Sequence, residues 1–65
     1  MIIDMKDYIV RFIRADDMPD EEYYYLTFDE AKKHYSLFLD DDSGLYQKIQ
    51  IIDINDKLYE EMIFS

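Results

Sequence analysis

The sequence predicts a two-layer α+β domain of order β-β-α-β-β, with one helix packed on an antiparallel sheet of about four strands. Three observations lead to this fold: alternating apolar residues near the N-terminus, a helix-capping sequence in mid-chain, and two apolar strand-like segments after it. The chain has 65 residues, of which 49% are hydrophobic and none is cysteine. We therefore expect a single domain, residues 1–65, that is held together by packing without disulfides.

Two strands are predicted before the helix. In residues 7–14, DYIVRFIR, β-branched and aromatic side chains alternate, so that every second residue from Tyr8 lies on one face. Residues 15–22 contain the only proline and five acids, a composition that favours a solvated loop. Residues 22–27, EYYYLT, are predicted to form the second strand.

The helix is predicted to begin after Thr27. The sequence TFDE is a capping box, in which the Thr27 hydroxyl accepts from the Glu30 amide and the Glu30 side chain reaches back to the Thr27 amide. At about 100° per residue, residues 28–39 form an apolar stripe. This stripe consists of Phe28, Ala31, Tyr35, Phe38 and Leu39. Leu37 falls almost opposite the stripe and is expected to be exposed.

Two further strands are predicted at the C-terminal end. Residues 46–54, YQKIQIIDI, and residues 57–64, KLYEEMIF, are joined by a tight turn at residues 55–56. The adjacent Ile51 and Ile52 point to opposite faces, which predicts either a β-bulge or burial on both faces.

A single helix covers only one face of the predicted sheet. The other face is expected to carry large residues drawn from Ile9, Ile13, Tyr24, Leu26, Tyr59 and Ile63. An uncovered apolar face usually marks a binding partner or a second copy of the chain. One hypothesis is therefore a small structural or adaptor module that homodimerises through this face, with its acids serving only solubility.

The charge balance favours a basic partner. Sixteen acids against seven bases give a net charge of −9, which argues against direct binding to nucleic acid or to an anionic membrane. The tyrosine run at residues 23–25 directly follows acids, so we assign it to packing rather than to base stacking. The N-terminus does not read as a signal peptide, and no apolar stretch is long enough to span a bilayer, so we expect a cytoplasmic protein.

The candidates for catalysis are weak. His34 is the only histidine, has no cysteine or second histidine to complete a metal set, and is expected to lie on the surface. Ser36 and Ser43 lack a nucleophile-elbow motif. We predict that the protein is not an enzyme and has no cofactor.

The aspartates that precede Gly44 invite comparison with a calcium loop. An EF-hand loop has glycine at position 6, whereas counting from Asp40 puts Gly44 at position 5. The spacing therefore excludes an EF-hand, and no metal site is predicted.

The acids form two dense groups. The first acidic cluster comprises Asp16, Asp17, Asp20, Glu21 and Glu22; the second acidic cluster comprises Asp40, Asp41 and Asp42. Like charges repel, and the second cluster follows the predicted helix C-terminus, where an acid opposes the helix dipole. Neither cluster is expected to help folding, so both are candidate partner-binding residues, with Tyr24 as a candidate aromatic anchor.

An acidic surface with interspersed tyrosines is suited to docking on a basic groove, where its carboxylates take the place of phosphates. In length, charge and composition the chain resembles the small acidic inhibitors that phages and mobile elements direct against restriction and CRISPR systems, some of which mimic nucleic acid. The resemblance implies a non-enzymatic protein that binds a basic nucleic-acid-handling protein, such as a nuclease, and inhibits or regulates it.

Overall fold

The computed structural model describes residues 6–64. Its elements are β1 (Tyr8–Arg14), β2 (Glu21–Tyr25), α1 (Phe28–Ser36), β3 (Tyr46–Asp53) and β4 (Leu58–Ile63). The strands form one antiparallel sheet of order β2-β1-β3-β4, and α1 packs on one face of it. The predicted α+β fold is confirmed.

The core lies between α1 and the two central strands. Its buried residues are Val10 and Phe12 of β1, Ala31 and Tyr35 of α1, and Ile49 and Ile51 of β3. The alternation predicted from Tyr8 thus sets the buried face of β1. The Phe12 ring lies 5.5, 4.9 and 5.2 Å from the rings of Tyr23, Phe38 and Tyr46. Such aromatic pairs add roughly 0.5–1.5 kcal/mol each beyond their buried area.

The start of α1 follows the predicted capping box, with one exchange of partners. The Thr27 hydroxyl accepts from the Glu30 amide at 3.2 Å, as predicted. The Glu30 carboxylate accepts from the Thr27 hydroxyl at 3.1 Å. The side-chain link therefore joins Glu30 to the hydroxyl rather than to the Thr27 amide.

The helix ends three residues earlier than predicted, at Ser36. The amide of Leu37 donates to the carbonyl of His34, and that of Phe38 to the carbonyl of Tyr35, both at 3.1 Å. These bonds span three residues and tighten the chain into turns. Leu39 is consequently 60% exposed, so its placement in the buried stripe was wrong, whereas Leu37 is 77% exposed as predicted.

The β3–β4 hairpin contains a bulge that changes which face some residues occupy. Ile51 lies opposite Glu60 but Ile52 lies opposite Leu58, so Tyr59 is the additional residue on β4. Ile51 and Ile52 are both buried, so the bulge and the two-sided burial occur together.

The bulge turns Tyr59 toward the helix face. Its ring lies 5.6 Å from that of Tyr8 and 5.8 Å from that of Phe28. Its predicted position on the open face was wrong, and Leu58 lies on that face instead, opposite Ile52.

The face of the sheet away from α1, the open face, is built in rows. One row crosses all four strands and consists of Tyr24, Ile9, Ile52 and Leu58. The next row is polar and consists of Glu22, Arg11, Gln50 and Glu61. Gln50 donates to Glu61 at 2.6 Å, and Arg11 to Glu22 at 2.8 Å. The polar row separates the apolar row from Ile13 and Ile63, so the open face is not continuously apolar.

Candidate functional site

The topology brings both acidic clusters to one end of the sheet. The first cluster follows β1 and the second precedes β3, and these strands are antiparallel neighbours, with Arg14 opposite Tyr46. The Ala15 amide donates to the Leu45 carbonyl at 2.9 Å and thereby joins the two loops. We refer to residues 15–20 and 39–45 together as the acidic end.

Arginines of β1 neutralise part of the first cluster. Arg14 donates to both carboxylate oxygens of Asp16, from Nε at 2.9 Å and from Nη2 at 2.6 Å. Its Nη1 donates to the Glu21 carboxylate at 2.9 Å. The hydrogen bonds from Arg14 lower the pKa of Asp16 to about 2. The hydrogen bond from Arg11 likewise lowers the pKa of Glu22. The structure thus places Asp16, Glu21 and Glu22 in ion pairs that link β1 to the β1–β2 connection, and from these pairs we expect a contribution to folding that the sequence did not predict.

The other two acids of the first cluster lie in the exposed loop between β1 and β2. Asp17 has φ 63°, a left-handed conformation that aspartate tolerates better than most residues. Within residues 6–64, no base lies within 4.0 Å of either Asp17 or Asp20. These two carboxylates remain available to a partner.

The second cluster has no arginine comparable to Arg14. The Asp41 amide donates to the Phe38 carbonyl at 3.1 Å, and its carboxylate accepts from the Ser43 hydroxyl at 2.7 Å. Asp40 and Asp42 are exposed. No base in the described part of the chain comes within 4.0 Å of any carboxylate of this cluster.

The early end of α1 also changes the electrostatic interpretation of the second cluster. Asp40 lies four residues beyond Ser36, the last helical residue. The effect of a helix dipole falls off within the last turn. The dipole therefore opposes these aspartates less than the predicted helix, ending at residue 39, implied.

Tyr24, the predicted aromatic anchor, does not lie at the acidic end. It is on the open face, three residues along β2 from Glu21, which corresponds to about 10 Å at the usual strand rise. Its hydroxyl donates to Glu22 at 3.0 Å.

Two other aromatic residues accompany the second cluster. Tyr46 and Phe64 line a groove of about 260 Å³ together with Asp41, Asp42 and Gly44. Sequence reasoning missed this role for both. For Tyr46 a signal was available, because it lies only four residues after Asp42 in the sequence. Phe64 had no such signal, because it comes near the cluster only through the pairing of β4 with β3.

Exposed aliphatic side chains lie among the acids. Met18, Leu39 and Leu45 are all exposed. Met18 follows Asp17, Leu39 precedes Asp40, and Leu45 ends the loop that carries the second cluster. The acidic end thus presents apolar surface within a negative field, a combination suited to protein contacts.

His34 was expected on the surface but packs against the aromatic core. Its ring lies 5.3, 5.0 and 5.8 Å from the rings of Phe12, Tyr23 and Phe38. Its Nδ1 lies 2.7 Å from the Tyr25 hydroxyl. Burial lowers the pKa of His34, which favours the neutral imidazole. This histidine is a partly buried structural residue.

Neither a metal site nor a membrane helix occurs in the described part of the chain. Between residues 6 and 64, no three histidine, aspartate or glutamate side chains are grouped so that they can hold a metal ion. No helix in that range has the length and apolar character needed to cross a membrane. Comparison with protein-family models, curated proteins and solved structures finds no match for this chain.

Proposed function

We propose that this chain is a non-enzymatic acidic protein of the cytoplasm that docks on a basic nucleic-acid-handling protein and inhibits or regulates it. The convergence of the two acidic clusters at one end of the sheet carries this proposal. Among residues 6–64, the carboxylates of the acidic end that have no base within 4.0 Å are those of Asp17, Asp20, Asp40, Asp41 and Asp42. Paired with a partner's arginines and lysines, they act in place of phosphates.

The distribution of the bases favours these five acids as the contact residues. Asp16 and Glu21 already share Arg14, and Glu22 is held by Arg11, so a second base adds less to them. The unpaired carboxylates gain a full ion pair without losing an existing one. Their combined field also steers a basic partner toward this end, which accelerates association.

The aliphatic side chains of the acidic end add a contribution that salt does not screen. Met18, Leu39 and Leu45 are exposed, and burying apolar surface contributes about 25 cal/mol per Å². We therefore expect affinity to fall as salt rises but to retain a residual, salt-insensitive part.

The proposal extends to the mode of action. An acidic end that occupies a groove built for phosphates excludes nucleic acid from that groove, so inhibition is competitive. This is the behaviour expected of a nucleic-acid mimic of the phage anti-restriction or anti-CRISPR kind, which the size and charge of the chain resemble.

Affinity capture from nuclease-treated lysate tests the proposal. Three immobilised proteins are compared: the wild type, the variant D40N/D41N/D42N, and the control D29N/D56N/E61Q, which removes acids away from the acidic end. Both variants lose three acids from a chain of net charge −9 and so carry −6. Circular dichroism verifies that each variant is folded before use.

We expect one basic nucleic-acid-binding protein to be retained by the wild type and the control and lost by D40N/D41N/D42N. Equal retention by all three proteins would show that net charge, not the acidic end, determines binding. Recovery of the protein itself alone would contradict the proposal and favour the adaptor module that dimerises through its open face.

A further inference from the structure

The two edges of the sheet differ in their capacity to accept another strand. β4 carries the bulge at Tyr59, which interrupts its pairing with β3 and kinks the strand. β2 pairs with β1 through five consecutive positions, from Glu21 to Tyr25, with no shift in register. A straight strand at the edge of a sheet presents unpaired backbone groups that another chain can pair with.

The direction of the backbone groups of β2 follows from bonds on the other side of β1. The Ile54 amide donates to the Asp7 carbonyl, and the Ala15 amide to the Leu45 carbonyl, so odd-numbered residues of β1 face β3. Even-numbered residues of β1 therefore face β2. Their partners on β2 are Glu21, Tyr23 and Tyr25. The N–H and C=O groups of Glu22 and Tyr24 consequently point to the free edge.

A groove lies between Tyr25, at the end of β2, and the flank of α1. It has a volume of about 420 Å³ and is lined by Tyr25, Glu30, Lys33, His34 and Leu37. The helical residues recur at the three- and four-residue spacing of one helix face. Leu37 is the most exposed of the large hydrophobic residues in the described chain, and it lines the groove.

We propose that the free edge of β2 and this groove bind an extended segment of a partner protein, in which basic residues alternate with apolar ones. The segment adds as a strand to Glu22 and Tyr24. Its apolar side chains enter the groove toward His34 and Leu37. Its basic side chains lie on the open face, where Glu22 is shared with Arg11 and where the Asp20 carboxylate has no base within 4.0 Å among residues 6–64.

Charge decides between this occupant and a second copy of the chain. Residues 20–22 are three consecutive acids at the start of the edge, and each copy has a net charge of −9. Pairing β2 with itself joins two chains that each carry −9, and a net charge this far from zero favours the monomer. A basic segment removes this repulsion. The basic character of the partner rests on the proposed function, whereas the edge and the groove do not.

The test uses two acetylated, amidated heptapeptides, KVKVKVK and KKKKVVV, which have the same composition and charge. Binding to the full chain is followed by nuclear magnetic resonance, with hydrogen exchange of the Glu22 and Tyr24 amides. We expect KVKVKVK to bind at least tenfold more tightly than KKKKVVV and to slow exchange at both amides. Equal binding of the two peptides, or no binding of KVKVKVK, would overturn the proposal.

Two variants test the strand-addition geometry. Tyr24→Pro removes an amide that points to the free edge without removing a bond to β1, and Tyr24→Val keeps this amide while removing the ring. We expect Tyr24→Pro to weaken KVKVKVK binding at least tenfold and Tyr24→Val to change it less than threefold. Equal effects of the two substitutions would contradict strand addition. Self-association of the wild type that Tyr24→Pro abolishes would show that a second copy, and not a basic segment, occupies the edge.

These measurements separate this inference from the proposed function. Failure of peptide binding, together with capture that depends on residues 40–42, would overturn the β2 groove alone. Peptide binding without such capture would overturn the role of the acidic end alone.

Discussion

The two acidic clusters are alike in sequence but differ in structure. Three of the five acids in the first cluster are held by Arg11 and Arg14, and the cluster closes the β1–β2 connection. The second cluster has no base within ion-pair distance among residues 6–64. The role of an acidic run is thus set by the bases that the topology places beside it. Here the two arginines distinguish acids for which we expect a role in the fold from acids that are available to a partner.

Removing Arg14 should have the largest effect on stability. Arg14→Gln leaves Asp16 and Glu21 without their base at the most acidic part of the chain, so we expect the melting temperature to fall by several degrees. Thermal unfolding followed by circular dichroism measures this. Lys33→Gln is the matched control, because it removes the same charge from an exposed helical residue that has no ion pair in the described chain. Equal melting temperatures for the two variants would contradict a structural role for the first cluster.

The two clusters should also differ in how they make stability depend on pH in the acid range. The pKa of Asp16 is lowered from 3.8 to about 2 by the hydrogen bonds from Arg14, so the unfolded chain binds this proton first as pH falls. The stabilisation is complete above about pH 4 and is lost progressively toward pH 2. Urea unfolding at a series of pH values should show a shallower loss for Asp16→Asn, whereas Asp40→Asn should retain the Asp16 contribution. A wild-type slope in Asp16→Asn would refute this assignment.

His34 provides a separate pH window that does not involve the acids. Burial lowers its pKa below 6.5, so protonation is easier in the unfolded chain and stability falls as pH drops from 6.5 toward the folded pKa. The polar groups around the ring are the Tyr25 hydroxyl, Glu30 and Lys33. We expect His34→Phe to abolish the change in urea midpoint between pH 7 and pH 5. Retention of that change would show that another group is responsible.

Neutralising the second cluster should have the smallest effect on stability. For D40N/D41N/D42N we expect the free energy of unfolding to rise, or to change by less than about 0.5 kcal/mol, as is usual for surface substitutions. Asparagine at residue 41 can still accept from the Ser43 hydroxyl, which preserves the loop. Chemical unfolding measures the difference, and a loss above about 1 kcal/mol would show that the cluster is structural.

The sequence predicted the elements because their signals are local. The alternation from Tyr8 and the capping box at Thr27 each depend on a few neighbouring residues. Leu39 and Tyr59 were misplaced because their positions depend on where the helix ends and on a bulge in the β3–β4 pairing. Neither event has a clear signal at the residue concerned.

The candidate site was predicted in part, because charge density is visible in a sequence and charge pairing is not. The pairing of Arg14 with Asp16 and Glu21 requires that the chain turn back after β1. The convergence of the two clusters requires that β1 and β3 be neighbours, which the sequence leaves open. Tyr24 was named as the anchor, and the place of Tyr46 beside the second cluster was missed, because periodicity alone does not show which end of a sheet a residue occupies.

The most direct test of the central claim is a competition titration with the basic protein recovered by capture. Its apparent Kd for its own nucleic acid is measured at increasing concentrations of the wild-type chain and of D40N/D41N/D42N. If the acidic end occupies the phosphate-binding groove, the apparent Kd rises linearly with the wild type, and at least tenfold more of the variant is needed for the same rise. An apparent Kd that does not change while the two proteins remain bound would contradict the claim.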